Sequence, residues 1–175
     1  MPKHSFSTVL TPHPDSPAPE VRQLRVSGER HPLTLSLCYT LVGEWADFVF
    51  PDKNHPAPAN KLWQRSCCEL FWREADSIAY REYNFSPSGQ WAAYAFSAYR
   101  KLENILPPPP QEMEWTVNES GLILQVEVPV CEKPLQLGLA VILQRRSGEI
   151  VYHALRHPSG APDFHHPDNF ALYLP

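Results

Sequence analysis

The sequence has no apolar run long enough to cross a membrane and no block of basic residues. The first absence excludes a transmembrane helix, which needs roughly 18 or more consecutive apolar residues. The second, with a formal net charge of −4, argues against a nucleic-acid partner, because phosphate binding leaves a basic patch. Glycine is scarce at 7 residues while proline reaches 20. Interior proline breaks helices, and no stretch carries three turns of amphipathic helical periodicity. Cys38, Cys67, Cys68 and Cys131 show no CxxC spacing, so they read as small buried hydrophobes rather than a zinc or disulfide framework. The first residues, Met1-Pro2-Lys3-His4-Ser5-Phe6, lack the apolar core of a secretory signal, and the expectation is a cytoplasmic protein.

What is present is period-2 alternation. Leu122, Leu124, Val126 and Val128 alternate with Ile123, Gln125 and Glu127, a half-buried strand pattern. Leu135, Leu137, Leu139, Val141 and Leu143 give another. Further strands are expected at 5–10, 21–27, 33–41, 67–73, 80–85, 90–99, 114–117, 150–155 and 170–174. Proline-rich loops separate them at 11–19, 51–58 and 107–110. The last reads as a stiff connector or, less simply, a polyproline II ligand. Many short strands with turn signals between them predict an all-β antiparallel sandwich of about ten strands, one domain over residues 1–175.

Parity assigns faces within the central strands. If Cys68, Leu70, Tyr83 and Phe85 point into the core, then Glu69, Glu82 and Asn84 lie together on the other side. A four-residue turn at Ser86-Pro87-Ser88-Gly89 would pair Asn84 with Trp91 and add Trp91 to that polar face. Two carboxylates, an amide, small alanines and aromatic rings suit a polar ligand with a weakly apolar surface, such as a sugar ring. Solvated surface carboxylates and a core Trp are the plainer reading. Trp63 ends a proline-rich loop six residues before Glu69, where it would stack over a ligand or plug the end of the sandwich. The segment 154–170 is rich in histidine and acid. Asp163, His165 and His166 there could contact a ligand or supply metal ligands; hydrogen bonds that pin the loop are the favoured reading.

The motifs Leu62-Trp63-Gln64, Cys68-Glu69-Leu70-Phe71, Glu82 to Tyr94, Tyr99-Arg100 and Pro162-Asp163-Phe164-His165 resemble the bacterial DOMON-like domains and, more distantly, carbohydrate-binding module family 9. The resemblance runs from the first strands to the C-terminus. It implies an immunoglobulin-like or jelly-roll sandwich. In the carbohydrate-binding branch a Trp-x5-Glu spacing sets an aromatic clamp and an acid at the sugar, and Trp63 and Glu69 match it. A second clamp from a C-terminal loop would fall on Phe164 or His165. Some members carry structural calcium, and the haem branch uses Met and His ligands; the only methionines here are Met1 and Met113.

The leading expectation is a non-catalytic module for a small polar ligand, a saccharide or sugar derivative. Its site would comprise Trp63, Glu69, Glu82, Asn84, Trp91, Asp163 and His165. No cofactor and no metal are expected, with haem and calcium entering only through the resemblance. An enzyme using Glu69 and Glu82 as acid and base is the rival. A haem-binding or ligand-free assembly domain is the third class. A cavity bearing both carboxylates would favour the enzyme over its standing from sequence alone; full exposure on a flat sheet would defeat it.

Overall fold

Fourteen strands build two packed sheets in the computed structural model, which describes residues 4–53, 55–118 and 121–175. They are β1 His4–Val9, β2 Thr11–Pro12, β3 Val21–Arg30, β4 Thr34–Gly43, β5 Ala57–Pro58, β6 Cys67–Glu74 and β7 Tyr80–Phe85. The second half adds β8 Gln90–Ala98, β9 Lys101–Leu102, β10 Glu112–Asn118, β11 Gly121–Pro129, β12 Leu135–Gln144, β13 Ile150–Ala154 and β14 Leu172–Leu174. The all-β sandwich expected from alternation is what forms. Three of the strands beyond the expected number, β2, β5 and β9, have two residues each, too short to show a period. No helix among the described residues is long and apolar enough to cross a membrane.

The smaller sheet runs β1-β3-β4-β11-β10 and the larger β2-β13-β12-β6-β7-β8-β5, with β14 on β12 and β9 on β8. Pairing is antiparallel throughout except for β5 on β8. The main core lies between the sheets. Leu24, Val26, Leu35, Leu37, Tyr39, Leu122, Leu124 and Val128 meet Cys68, Leu70, Tyr83, Phe85, Leu137, Leu139 and Val141 there. Cys67 and Cys68 point to opposite faces, as neighbours in a strand must: Cys68 joins this core, and Cys67 joins a second apolar cluster on the outer face of the large sheet.

That second face is not open to solvent. The segment 155–171, with a 3-10 turn at Pro167–Asn169, folds across it and contributes Phe164 and Phe170 to the second cluster. Gly138 lets it approach: a β-carbon there would lie 3.0 Å from the Asn169 carbonyl oxygen. The large sheet is therefore buried on both sides, which explains the nearly unbroken apolar run of β12.

The hairpin between β7 and β8 corrects the expected register. The Gly89 N–H donates to the Ser86 carbonyl at 2.9 Å, and the Ser86 N–H donates to the Gln90 carbonyl at 2.9 Å. Gly89 adopts φ 91°, so it is the extra residue of a glycine bulge. Phe85 then pairs with Trp91 and Asn84 with Ala92. One added residue reverses the parity of the third strand. Trp91 packs against the main core and is not a wall of the polar face; Tyr94 and Phe96 take that side instead.

Candidate functional site

Register across four strands lays out the floor of the site. One row reads Ala140, Glu69, Asn84, Ala92, and the next reads Gly138, Phe71, Glu82, Tyr94. Glu69 and Glu82 are thus diagonal neighbours on adjacent strands, on the same face. The alanines beside Glu69 and Asn84 leave room above the carboxyls. A cavity of about 410 Å3 opens there, within the range of small-molecule pockets. Glu69, Glu82, Phe71, Tyr94 and Phe96 line it from the sheet, Trp63 and Arg100 from its rim, and Pro162, Phe164 and His165 from the C-terminal segment.

Both carboxylic acids are almost fully buried, Glu69 at 2% exposure and Glu82 at 5%. Glu82 Oε1 accepts from Asn84 Nδ2 at 2.8 Å, and Glu82 Oε2 lies 3.6 Å from His165 Nε2. Asn84 therefore acts from beneath, positioning Glu82, and its Oδ1 has no partner among the described residues. Among the described residues Glu69 accepts only a weak bond from the Cys67 thiol, at 3.7 Å. Burial, and then the neighbouring Glu82 carboxylate, push the Glu69 carboxyl well above the usual carboxylate range. Burial also raises Glu82, to about 7, against the opposing pull of the Asn84 hydrogen bond. Near neutral pH Glu82 can therefore accept or donate a hydrogen bond.

The C-terminal segment is held over the cavity by a polar clasp. Asp163 accepts from Tyr99 Oη at 2.6 Å and Arg100 Nη2 at 2.8 Å, and its side chain also receives the His165 N–H. Burial works against ionisation at Asp163, but these bonds from Tyr99 and Arg100 prevail and hold it below its ordinary value. Asn169 Nδ2 donates to the Asp163 carbonyl. His165 Nδ1 is 2.8 Å from the Tyr80 hydroxyl, which accepts the Arg100 N–H. Burial, with Arg100 nearby, pushes His165 down to about 4, so its imidazole is neutral at physiological pH.

Of the residues singled out from sequence, Trp63, Glu69, Glu82 and His165 converge on one cavity. Asn84 and Asp163 support it from behind without lining it. Trp63 stands on a 3-10 turn at Leu62–Gln64, 41% exposed, with its ring edge-on to Tyr94 at 6.0 Å. That places it at a rim rather than as a buried plug. Tyr94 and Phe96 were hidden from sequence reasoning by the glycine bulge. Arg100, at φ 53° in the turn between β8 and β9, carries no periodicity signal at all.

The residues do not fit the metal or haem chemistry that the family resemblance offers. Asp163, His165 and His166 turn to Arg100, Tyr80 and Asp168 respectively, and no three His, Cys, Asp or Glu side chains converge as a metal set among the described residues. Met113 lies on β10 of the other sheet, in a depression whose lining includes no histidine.

No family model matches the chain, and no curated protein matches it. Its fold is similar to that of a solved structure, a candidate carbohydrate-binding protein from Bacteroides uniformis. The TM-score is 0.61 over 95% of this chain and 83% of that one, at 13% identity. The likeness is one of architecture.

Proposed function

We propose that this chain is a non-catalytic binding module for a small polar ligand of the saccharide class, akin to the DOMON-like and family 9 carbohydrate-binding domains its motifs resemble. One observation carries the reading: an exposed Trp63 ring stands at the mouth of a cavity whose floor holds two carboxyl groups. An aromatic rim can stack on a sugar ring, and buried acids accept from its hydroxyls. The Bacteroides uniformis neighbour, a candidate carbohydrate-binding protein, supports the same class at the level of the fold. A thermal-shift panel of mono- and oligosaccharides tests it, because a ligand that binds only the native state raises the midpoint. We expect a sugar to shift the parent, and the shift to vanish in Trp63→Ala. A sugar-induced shift undiminished in Trp63→Ala, or none across the panel, would sink the reading.

A second reading has its own observation. A carboxyl raised to about 7 beside another buried acid is the arrangement of a general acid at neutral pH. Hydrolysis of aryl glycosides by the parent, lost in Glu82→Gln, would move the protein into the enzyme class. Equal rates with and without protein leave it a binder.

A further inference from the structure

We propose that the ligand of this cavity carries a protonated amine, an ammonium seated between Glu69 and Glu82, and that the saccharide it recognises is an amino sugar with its amine free. The inference rests on the saccharide reading for the sugar, but not for the ammonium. Its ground is a pair of buried acids left without a cation. Two carboxyl groups lie on one buried face, and among the described residues neither is bonded to a lysine or arginine side chain, although Arg100 is near enough to pull on Glu82. Arg100, the one guanidinium on the lining, is already bonded to Asp163 and Tyr99. His165 faces Glu82, but its ring is neutral.

A fold with no use for these acids would be more stable with apolar side chains in their place, since a buried charge without a partner is costly. An ammonium removes that cost. It offers three N–H donors to the two carboxyls, and the neighbouring Trp63, Tyr94 and Phe71 rings attract a cation to their faces. A neutral hexose offers hydroxyls but gives the two acids no charge to pair with, so they stay protonated. A hard metal ion fits less well, because it wants six or more oxygen ligands and these walls are aromatic.

The arrangement dictates proton linkage. In the empty cavity the acids retain protons near neutrality. An ammonium favours both ionised forms, so binding releases protons to the solvent and tightens as pH rises from 5.5 towards 7. The other titratable groups facing the acids do not share this window. Burial raises the Cys67 thiol and the Tyr80 and Tyr94 phenols. Asp163 is held ionised by Arg100, and His165 is held neutral.

Calorimetric titration of the full chain decides the matter, using the β-1,4-linked glucosamine disaccharide, its di-N-acetylated form, cellobiose and benzylamine. We expect the free-amine disaccharide to bind at least about tenfold more tightly than the acetylated or neutral sugars, a difference of about 1.4 kcal/mol. At pH 6.5 its apparent heat should depend on the buffer's ionisation heat in the sense of proton release. Glu69→Gln and Glu82→Gln should erase the preference while melting no lower than the parent. Equal or tighter binding of cellobiose or the acetylated sugar would overturn the ammonium and leave the saccharide reading standing. Binding of benzylamine alone would support the ammonium and overturn the sugar. No binding by any of the four would overturn both.

Discussion

The two faces of the large sheet are buried to nearly the same degree and are built for different ends. The inner face, carrying Leu70, Tyr83, Leu139 and Val141, meets the small sheet as close-packed hydrocarbon. The outer face carries Glu69, Glu82 and Asn84 at positions just as hidden, beneath a segment that leaves a cavity instead of filling it. Strand alternation makes this division possible, because neighbouring residues of one strand serve opposite faces. Burial alone therefore does not mark a core position. The inner face stabilises the fold; the outer face holds buried acids that the fold alone would not select.

The comparison breaks first at its strongest point. Leu70→Ala, on the inner face at 0% exposure, should cost about 2–5 kcal/mol through lost burial and an unfilled cavity. Its neighbour in sequence, changed by Glu69→Gln, should cost nothing and raise the midpoint at neutral pH. Urea unfolding of the two variants side by side reads the difference. Equal destabilisation would mean that the outer face is an ordinary core.

A smaller effect comes from pH. Glu82 sits at about 7 in the native state against about 4.5 unfolded, so the native state holds an extra proton between those values. Its charge therefore weakens the fold above pH 7, and that penalty fades as pH falls through the window. Glu82→Gln should stabilise at pH 8 by roughly 3–4 kcal/mol, at about 1.4 per pKa unit, and by almost nothing at pH 4.5. His165 on the outer face and His153 on β13 run the other way. Burial holds each down at about 4, so the unfolded chain gains protons first and stability is lost as pH falls from 6.5 to 4. His153→Leu should flatten that acid loss without changing the Glu82 effect above pH 7. Stability curves of the parent and both variants across pH 4–8 check the two signs independently.

How far the sequence reached can be read from the same strands. Parity placed Cys68, Leu70, Tyr83 and Phe85 on one face and Glu69, Glu82 and Asn84 on the other, as the register has it. That works because alternation is strict within an uninterrupted strand. It failed at Trp91, since the Ser-Pro-Ser-Gly turn is compatible with both a four-residue loop and a bulge, and only tertiary pairing chooses between them. It also could not show that the 155–171 segment covers the outer face, because segments with no period do not announce what they pack against. Gly89→Ala sharpens this point. A β-carbon at φ 91° is strained, and the variant should lose about 1–2 kcal/mol while keeping Trp91 in the core. Trp91 exposed to fluorescence quenchers in this variant would show that the glycine bulge, and not tertiary pairing, sets the register.

The smallest expected effect falls on Trp63, and it separates two tryptophans. Trp115 on β10 is 7% exposed and belongs to the main core, whereas Trp63 is 41% exposed at the cavity mouth. A large aromatic contributes stability through the area it removes from water. Trp115→Ala should accordingly cost about 3–5 kcal/mol. Trp63 keeps much of its ring in solvent and touches the fold edge-on through Tyr94, so Trp63→Ala should cost at most about 1 kcal/mol. Thermal unfolding of the two variants measures both. A residue that folding barely needs, standing over two acids that folding would do better without, is best explained by something that enters the cavity. If Trp63→Ala instead melts as far below the parent as Trp115→Ala, Trp63 is a structural plug. The rim would then belong to the fold, and the case for a stacked ligand would lose its main support.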